Sequence, residues 1–335
     1  MNSVFVYCEI EEGIIADVSL ELLTKGRTLA TELGVKLEAI VLGSDLKGVE
    51  KQVFPYGVDV LWLGDDKRLA PYTTLPHTSI LVNLFKQEKP QIAFMGASSI
   101  GRDLGPRVSS ALHSGLTADC TSLEIGDYED KKNNKIYHNL LYQIRPAFGG
   151  NIVATIVNPD CRPQMASVRP GIMSPLQYNP SFTGEIVRHD LSTFKKDGRI
   201  RVLQEIIQAT SGESLGNSKI IIGIGRGVKN TETVDKIRCW AKKLGALVAG
   251  SRAAVEAGLI DARMQVGQTG HTISPDLYIA IGISGQIQHT AAITGAKKII
   301  AINPDRTAPI FNVADYGFVS PIEDILPQLM ATETI

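Results

Sequence analysis

Two separate series of short apolar runs alternate with helix-like stretches in this chain, and this alternation limits the possible folds more than any other feature. The first series extends to about Leu116, and the second begins at Lys219. The apolar runs have the length of buried strands, while the stretches between them show helical spacing. Such alternation predicts α/β domains in which a mostly parallel sheet is flanked by helices.

The first series predicts four strands and two well-marked helices. A helix over residues 20–34 places its leucines on one face, and Gly34 suits the helix end. A second helix is expected over Thr78–Lys89, just before Pro90. The predicted strands are Ser3–Tyr7, Leu37–Leu42, Val58–Leu63 and Ile92–Met95.

Residues 116–168 show a different pattern, which is typical of antiparallel strands. Two strand-like runs flank the polar stretch Glu129–Lys135, which predicts a solvated hairpin turn. Further runs follow at Asn151–Val157 and Met165–Val168. We expect these strands to be antiparallel additions to the first sheet.

A proline-rich connector is predicted at residues 171–218, between an N-terminal domain at 1–170 and a second domain at 219–335. Two domains are expected because a chain of 335 residues exceeds what one hydrophobic core usually serves. Within the connector, Arg199–Gln208 alternates enough to predict a strand that returns to one of the domains.

The second series predicts a doubly wound domain. Its helix is expected at Thr231–Leu244, with a strand and glycine turn before it at Lys219–Gly227. The other predicted strands are Ala246–Ala249, Asp276–Ile283, Lys298–Ile302 and Tyr316–Val319.

Charge and cysteine placement argue against several functional classes. The 34 basic and 35 acidic residues leave a formal net charge of −1, so there is no basic excess for a nucleic acid partner. The four cysteines form no CxxC pair, which argues against zinc and iron–sulfur sites and against a disulfide-stapled secreted fold. The N-terminus lacks the basic head of a signal peptide, and no apolar run approaches the ~18 residues of a membrane span. We expect a cytoplasmic protein without a metal.

The glycine loop GIGRG follows the first strand of the second series. A loop between a strand and a helix presents backbone N–H groups to anions. The dinucleotide fingerprint GxGxxG would need a glycine at Val228, so it is incomplete. A tight turn and a phosphate cradle are both open interpretations, and Arg226 favours phosphate because guanidinium suits phosphate oxygens.

Ser251 and Arg252 follow the next predicted strand, at the sheet edge where ligands of α/β proteins normally bind. Ser251 is a plausible helix cap. Arg252 either faces a ligand or pairs with Glu256 on its own helix, and the spacing supports both equally.

The most informative stretch is 265–293, where polar side chains cluster after two successive strands. Glycines in its first loop allow the backbone to approach a flat ligand, and amide and hydroxyl groups supply donors and acceptors. With almost no acids present, the cluster predicts a site for a neutral or anionic ring system and not for a metal. Its polar residues are Gln265, Gln268, Thr269, His271, Ser284, Gln286, Gln288 and His289.

Five motifs in this region resemble those of electron transfer flavoprotein alpha subunits. In order, they are SRAAV, QVGQTG, SPDLYIAIGISGQIQH, AIN and APIFNVADYG. Upstream, Gly101–Leu112 and Arg145–Asn151 also resemble the N-terminal domain of that family. The likeness covers most of the chain and is weaker before residue 90.

The resemblance implies that the second domain binds FAD. Arg252 would lie against the isoalloxazine, where a cation favours the anionic reduced flavin. Thr269 would donate near the reactive edge of the ring, and His289 would donate toward a pyrimidine carbonyl. Asn303 and Asp315 would reach the adenosine half, although Asp315 also suits a turn cap. The implied contact set is Arg226, Ser251, Arg252, Gln265, Val266, Gly267, Gln268, Thr269, Ser284, Gly285, Gln286, Ile287, Gln288, His289, Asn303 and Asp315.

The resemblance also implies a heterodimer with a beta subunit, which holds AMP or, in electron-bifurcating members, a second FAD. The N-terminal domain would contact that subunit. Arg145 is a candidate contact to the second flavin, or an ordinary residue at a strand end. Electrons would come from a flavin-containing dehydrogenase of the acyl-CoA type and leave one at a time, with ferredoxin or a similar acceptor in bifurcating members. The second domain would swing on the connector.

Two other functions are compatible with this kind of fold. A nicotinamide-dependent dehydrogenase would require the complete glycine fingerprint and an acid–base pair, and neither stands out. A non-catalytic nucleotide-binding regulator would leave the cluster of glutamine, threonine and histidine without a purpose. Two departures from the family pattern concern charge: His271 stands where the family often has lysine, and no acid is obvious shortly after the ADYG motif.

Overall fold

The computed structural model describes residues 3–11, 13–147, 152–191, 200, 202–204, 215 and 218–331. The chain divides into two compact units, residues 1–207 and 208–335. The division falls inside the predicted connector, and the expected α/β class with two parts is confirmed.

A seven-stranded parallel sheet forms the centre of the first unit. The elements of this unit are β1 (Ser3–Cys8), β2 (Ile10–Glu11), β3 (Ile14–Ile15), α1 (Asp17–Leu33), β4 (Lys36–Gly43), α2 (Glu50–Val53), β5 (Val60–Asp65), α3 (Thr74–Glu88), β6 (Ile92–Gly96), α4 (Ser99–Leu112), β7 (Leu116–Cys120), β8 (Ser122–Asp130), β9 (Lys135–Ala147), β10 (Ile152–Ile156), β11 (Gln164–Val168) and β12 (Glu185–Arg188). From one edge to the other, the strand order of the sheet is β12-β5-β4-β1-β6-β11-β7.

Hydrophobic cores cover both faces of this sheet. Alternate residues of β1 enter different cores: Val4 and Val6 pack on the α1 side, and Phe5 packs on the α3 side. Both faces of a parallel sheet must be covered, which is why its strands appear as nearly continuous apolar runs in the sequence. The apolar runs therefore marked these strands correctly.

The antiparallel strands form a small sheet of their own, in the order β10-β9-β8. The expectation for Met165–Val168 was wrong, because these residues belong to β11, which pairs in parallel with both β6 and β7. All five residues of β11 are buried. A strand buried on both faces belongs in the parallel sheet, so burial outweighed its position in the sequence.

The first half of the predicted connector is attached to the first unit. The backbone N–H of Gly171 donates to the Glu21 carboxylate at 3.1 Å, and that of Leu176 donates to Thr24 Oγ1 at 2.9 Å. β12 then pairs in parallel with β5. A strand does return to the first sheet, but at Glu185–Arg188 and not at Arg199–Gln208, most of which lies outside the described residues.

A five-stranded parallel sheet forms the centre of the second unit. The elements are β13 (Ile220–Ile224), α5 (Thr231–Leu244), β14 (Leu247–Gly250), α6 (Arg252–Glu256), β15 (Leu277–Ile281), α7 (Ile287–Thr290), β16 (Lys298–Ile302), β17 (Tyr316–Phe318) and α8 (Ile322–Ala331). Apolar cores again cover both faces, with Ile222 in one and Ile221 in the other. The strand order is β14-β13-β15-β16-β17, which is the predicted doubly wound arrangement.

Local chemistry explains where α5 begins and ends. The Asn230 side chain accepts a hydrogen bond from the backbone N–H of Thr233 at 2.8 Å, and Gly245 ends the helix with a left-handed φ of 63°. These are the usual start and stop signals of a helix.

The strand order of the second unit reverses between β13 and β15. In a doubly wound sheet, the chain leaves these two neighbouring strands toward opposite faces, which opens a crevice beyond their carboxyl ends. Within the described residues, no helix combines the length and apolar character that a membrane span requires.

Candidate functional site

A cavity of about 790 Å³ opens at the carboxyl ends of the strands in the second unit's sheet. It lies where the strand order reverses, since its walls come from the turns after β13, β14, β15 and β16. Most of the predicted contact residues line it, namely Arg226, Ser251, Arg252, Val266, Gly267, Gln268, Thr269, Ser284, Gln286, Gln288, His289 and Asn303.

The glycine loop after β13 is interlocked with the turn after β15. The N–H groups of Gly225 and Gly227 donate to the carbonyls of Ile281 and Gly282, at 2.8 and 3.0 Å. A Cβ on Gly225 would lie only 2.1 Å from the Gly282 carbonyl oxygen. Of the two open interpretations, the tight turn is therefore the one that this geometry favours, because these amides are used within the protein.

Two arginines supply positive charge to the cavity wall. Arg226 and Arg252 are both exposed and both line the cavity. Arg252 also donates from Nε to Glu256 at 2.8 Å, so the two interpretations of this residue coexist. The pair is more than half exposed on both sides, and such a pair restrains the arginine only weakly.

Hydroxyl groups on the wall are held in place by neighbouring groups. Ser251 Oγ caps α6 by accepting from the backbone N–H of Ala254 at 3.4 Å. Thr269 Oγ1 accepts from Gln265 Nε2 at 2.9 Å, which leaves the hydroxyl hydrogen of Thr269 for a ligand. Gln265 itself is not part of the lining and acts on the site through Thr269.

His289 is buried in the cavity wall, with 7% of its surface exposed. Its Nδ1 lies 3.1 Å from the Val266 carbonyl oxygen, and its Nε2 lies 2.9 Å from the Tyr278 hydroxyl. Burial lowers the pKa of His289 to about 4, although the hydrogen bond to the Val266 carbonyl opposes this. Since both ring nitrogens are engaged, this arrangement does not support the predicted donation from His289 to a ring carbonyl.

Asn303 joins two of the turns that surround the cavity. Its Nδ2 donates to the Ile283 carbonyl at 2.8 Å, and its Oδ1 accepts from the backbone N–H of Asp305 at 2.9 Å. Gly285 lies beside these turns but does not line the cavity. A Cβ there would lie 2.1 Å from the backbone nitrogen of Ile310, so the position requires glycine for packing. Ile287 also lies outside the lining.

Asp315 lies at the amino ends of the strands, whereas the cavity lies at their carboxyl ends. Its carboxylate accepts from the Lys298 ammonium at 2.9 Å and from the backbone N–H of Ile299 at 2.8 Å. These two residues begin β16, whereas the cavity lies beyond its end. The hydrogen bond from Lys298 lowers the pKa of Asp315. The structure therefore favours the turn-cap interpretation over a cofactor contact.

Arg145 belongs to the first unit, where it lies in β9 opposite Ala154 of β10. Burial raises the pKa of the nearby Cys120 to about 12, while the charge of Arg145 opposes that rise. Residues 148–151 of the same motif lie outside the described residues, and a role for Arg145 toward a second flavin stays a prediction.

Several lining residues were missed by the sequence analysis. They follow β15 and β16, so the strand-end rule that found Ser251 could also have found them. They are Gly282, Ile283, Pro304, Asp305, Ala308 and Pro309, together with Ala253 in α6. Across the described part of the chain, no group of three or more His, Cys, Asp or Glu residues could hold a metal ion.

Comparison with known proteins identifies the family. Residues 4–193 match the electron transfer flavoprotein domain, and residues 214–294 match the electron transfer flavoprotein FAD-binding domain. The electron transfer flavoprotein subunit alpha of Clostridium acetobutylicum is 42% identical over 98% of this chain and 96% of that protein. The chain belongs to the electron transfer flavoprotein alpha-subunit family. Similar coverage links it to Protein FixB of Clostridium saccharobutylicum, at 45% identity over 98% of this chain and 96% of that protein. The electron transfer flavoprotein subunit alpha of Megasphaera elsdenii is 41% identical over 100% of this chain and 96% of that protein.

Among solved structures, the alignment with MurG of Acinetobacter baumannii covers 98% of this chain and 89% of the MurG chain. The TM-score is 0.32 and the identity 11%, a likeness too weak to inform either fold or function.

The cofactor of this electron transfer flavoprotein is FAD, and the cavity lies in the region that matches the FAD-binding domain. Its donor set fits such a ligand. Two arginines can face a diphosphate, hydroxyl and amide groups can face a polar ring, and Asp305 is the single acid among the lining residues. The volume is also that of a typical cofactor site.

Proposed function

We propose that this chain is the alpha subunit of a heterodimeric electron carrier and that FAD occupies the cavity of the second unit. The observation that carries the proposal is the position of the cavity at the reversal of the strand order, with most of the predicted contact residues on its wall. The cofactor supplies the electron-transfer chemistry, and the chain supplies binding, orientation and charge.

In this proposal, each side chain of the cavity wall has its own role in binding FAD. Arg226 and Arg252 attract the anionic parts of the ligand, since guanidinium groups match phosphate oxygens and stabilise added negative charge. Thr269 donates its free hydroxyl hydrogen. Ser284 and Gln286 project from the turn after β15 into the same cavity and orient the ligand.

The name of a further relative supports a class of electron donor. A protein of Anaerotignum propionicum, 36% identical, is named acryloyl-CoA reductase electron transfer subunit beta. We therefore propose an acyl-CoA-type flavin dehydrogenase as the electron donor and a beta subunit bound to the first unit. Delivery of single electrons to a further acceptor completes the proposed carrier function.

A bifurcating complex is the second candidate. A protein of Acetobacterium woodii, 38% identical, is named lactate dehydrogenase (NAD(+),ferredoxin) subunit LctC. That name pairs NAD(+) with ferredoxin, and we propose for this candidate that NADH supplies the electrons and ferredoxin accepts part of them. Arg145 in β9 would then contact a second flavin held by the beta subunit.

The flavin content of the chain purified with its beta partner tests both versions. We expect one FAD in the alpha subunit, with AMP in the partner for a simple carrier and a second FAD, reducible by NADH, for a bifurcating complex. A colourless complex that takes up no FAD on reconstitution would overturn the proposal. The dehydrogenase and regulator alternatives would then have to be reconsidered.

A further inference from the structure

A buried tyrosine lies directly behind His289. Tyr278 is in the middle of the second unit's sheet, on β15, and none of its surface is exposed. Its hydroxyl oxygen lies 2.9 Å from His289 Nε2, on the side of the ring opposite to the Val266 carbonyl. The imidazole is therefore held at both nitrogens by the protein.

These two contacts define the tautomer of the imidazole. A carbonyl oxygen can only accept, so the hydrogen of a neutral ring must lie on Nδ1, facing Val266. Nε2 then carries a lone pair and accepts the hydrogen of the Tyr278 hydroxyl. A phenol that donates to Nε2 stabilises the neutral ring, because protonation would remove the lone pair that accepts the bond.

The neighbouring strand leaves room for this hydroxyl. A Cβ on Gly223 would lie only 1.8 Å from the Tyr278 hydroxyl oxygen. Gly223 is the last-but-one residue of β13 and the first glycine of the GIGRG loop. Gly223 thus leaves space for the Tyr278 hydroxyl, whereas Gly225 allows the two turns to pack closely together.

The first unit contains the same kind of arrangement with the opposite tautomer. The Tyr7 hydroxyl lies 2.9 Å from His77 Nδ1, and His77 Nε2 lies 3.2 Å from the Leu69 carbonyl oxygen. Here the carbonyl requires the hydrogen on Nε2. Burial lowers the pKa of His77 as well, so the chain carries an internal reference for a neutral histidine held between a phenol and a carbonyl.

We propose that Tyr278 is a positioning residue that keeps His289 a neutral imidazole in the wall of the FAD cavity: the Val266 carbonyl sets the hydrogen on Nδ1, and the Tyr278 hydroxyl donates to Nε2. The inference rests on the proposed function for the identity of the ligand, but the tautomer itself does not depend on the ligand. At this position the cavity wall then presents a neutral imidazole. The positive charge of the wall comes from Arg226 and Arg252. Asp305 is the other ionisable residue of the lining.

The consequence concerns the one-electron reduction potential of the bound flavin. A histidine that stays neutral contributes no proton uptake when the flavin gains negative charge. If the Tyr278 hydroxyl is removed, the neutral ring loses a stabilising bond and the pKa of His289 rises from its depressed value. Protonation below that pKa would place a cation near the flavin, so the potential would rise as the pH falls. The steepest possible pH dependence corresponds to one proton taken up per electron. The equilibrium constant of the reduction then changes tenfold per pH unit, and the potential changes by about 59 mV per pH unit.

The test is ¹⁵N NMR of the histidine rings in the full chain complexed with its beta partner, with FAD present and after FAD removal. The variant is Tyr278→Phe, which keeps the ring volume and removes the hydroxyl, and the matched control is Tyr7→Phe in the first unit. Resonances are assigned with His289→Gln and His77→Gln. The potential of the first reduction step is measured in the FAD-loaded protein between pH 5.5 and 8.

In the unsubstituted protein we expect a protonated Nδ1 for His289, a protonated Nε2 for His77, and no titration of the His289 ring down to pH 5.5. Tyr278→Phe should leave the hydrogen on Nδ1, facing Val266, but shift the titration of His289 into the measured range and give the potential a pH dependence, while Tyr7→Phe changes only His77. An Nε2–H tautomer for His289 in the unsubstituted protein would overturn the inference, whether or not the variants fold. So would a Tyr278→Phe protein in which the titration of His289 is unchanged. If FAD fails to bind while the FAD-free protein shows the expected tautomer, the proposed function fails and the positioning role stands.

Discussion

At the scale of single residues, Arg226 and Arg252 are the cations of the proposed FAD site, and their removal provides the most direct test of it. Each can make a hydrogen bond to a charged group of the ligand, which typically contributes about 1.5–3 kcal/mol. Because both side chains are exposed, we take the lower end and expect each alanine substitution to raise the Kd for FAD about tenfold. The measurement is titration of FAD-depleted protein, followed by visible absorbance.

Arg238→Ala is the matched control for these substitutions. Arg238 is also an exposed arginine of the second unit, paired with Asp235 on α5, and it is absent from the cavity lining. It should leave the Kd unchanged. If Arg238→Ala weakens binding as much as Arg252→Ala, the effect is one of net charge, and the two cavity arginines have no special role.

The chemistry of single residues was only partly predictable from the sequence. The polar residues after β14 and β15 were found, because ligand sites follow strand ends in this class of fold. The coupling of Tyr278 to His289 was not found, since Tyr278 lies inside an apolar strand and is eleven residues away in the sequence. The sequence pattern shows which face of a strand a side chain occupies, but not which distant group it meets. The sequence left two interpretations of Asp315 open for the same reason.

At the scale of elements, the buried strands and capped helices were predictable, because burial and capping leave local patterns. The bounds of α5 and β16 agree with the sequence prediction. β12 was missed because it is a short edge strand with mostly exposed residues, so it has no apolar run. The parallel pairing of β11 depends on contacts with β6 and β7, which are distant in sequence.

The interlocked turns after β13 and β15 should be the most sensitive backbone feature of the FAD site. In Gly225→Ala the new Cβ would lie 2.1 Å from the Gly282 carbonyl oxygen, so the two turns must separate. We expect the Kd for FAD to rise by more than tenfold and the free energy of unfolding to fall by about 1–3 kcal/mol. FAD titration and denaturant unfolding measure the two effects.

Gly245→Ala separates general destabilisation from damage to the site. Gly245 ends α5 with φ 63° and has no atom within 4 Å of a built Cβ. Alanine there costs about 1–2 kcal/mol through backbone strain alone. The protein should lose stability and keep its affinity for FAD. Equal loss of affinity in both variants would show that the interlocked turns are not specific to the site.

At the scale of the whole molecule, each unit has its own sheet with apolar cores on both faces. The proline-containing segment up to Arg188 is bound to the first unit through Glu21, Thr24 and β5. Any pivot between the units must therefore lie after β12, and the predicted hinge cannot include the first half of the connector. The chain also has one tryptophan in each unit, Trp62 and Trp240, which makes the two units separately observable.

All of the residues that line the cavity come from the second unit, between Gly225 and Pro309. A fragment of residues 208–335 should therefore fold and bind FAD without the first unit, because it contains both of its own cores and every lining residue found in the described part of the chain. Trp240 in α5 reports its folding, and visible absorbance after gel filtration reports bound FAD. The fragment of residues 1–207 is the control and should retain no FAD. If the C-terminal fragment shows a cooperative unfolding transition yet binds no FAD, groups outside it are needed for binding, and the assignment of the cofactor to this cavity alone is wrong.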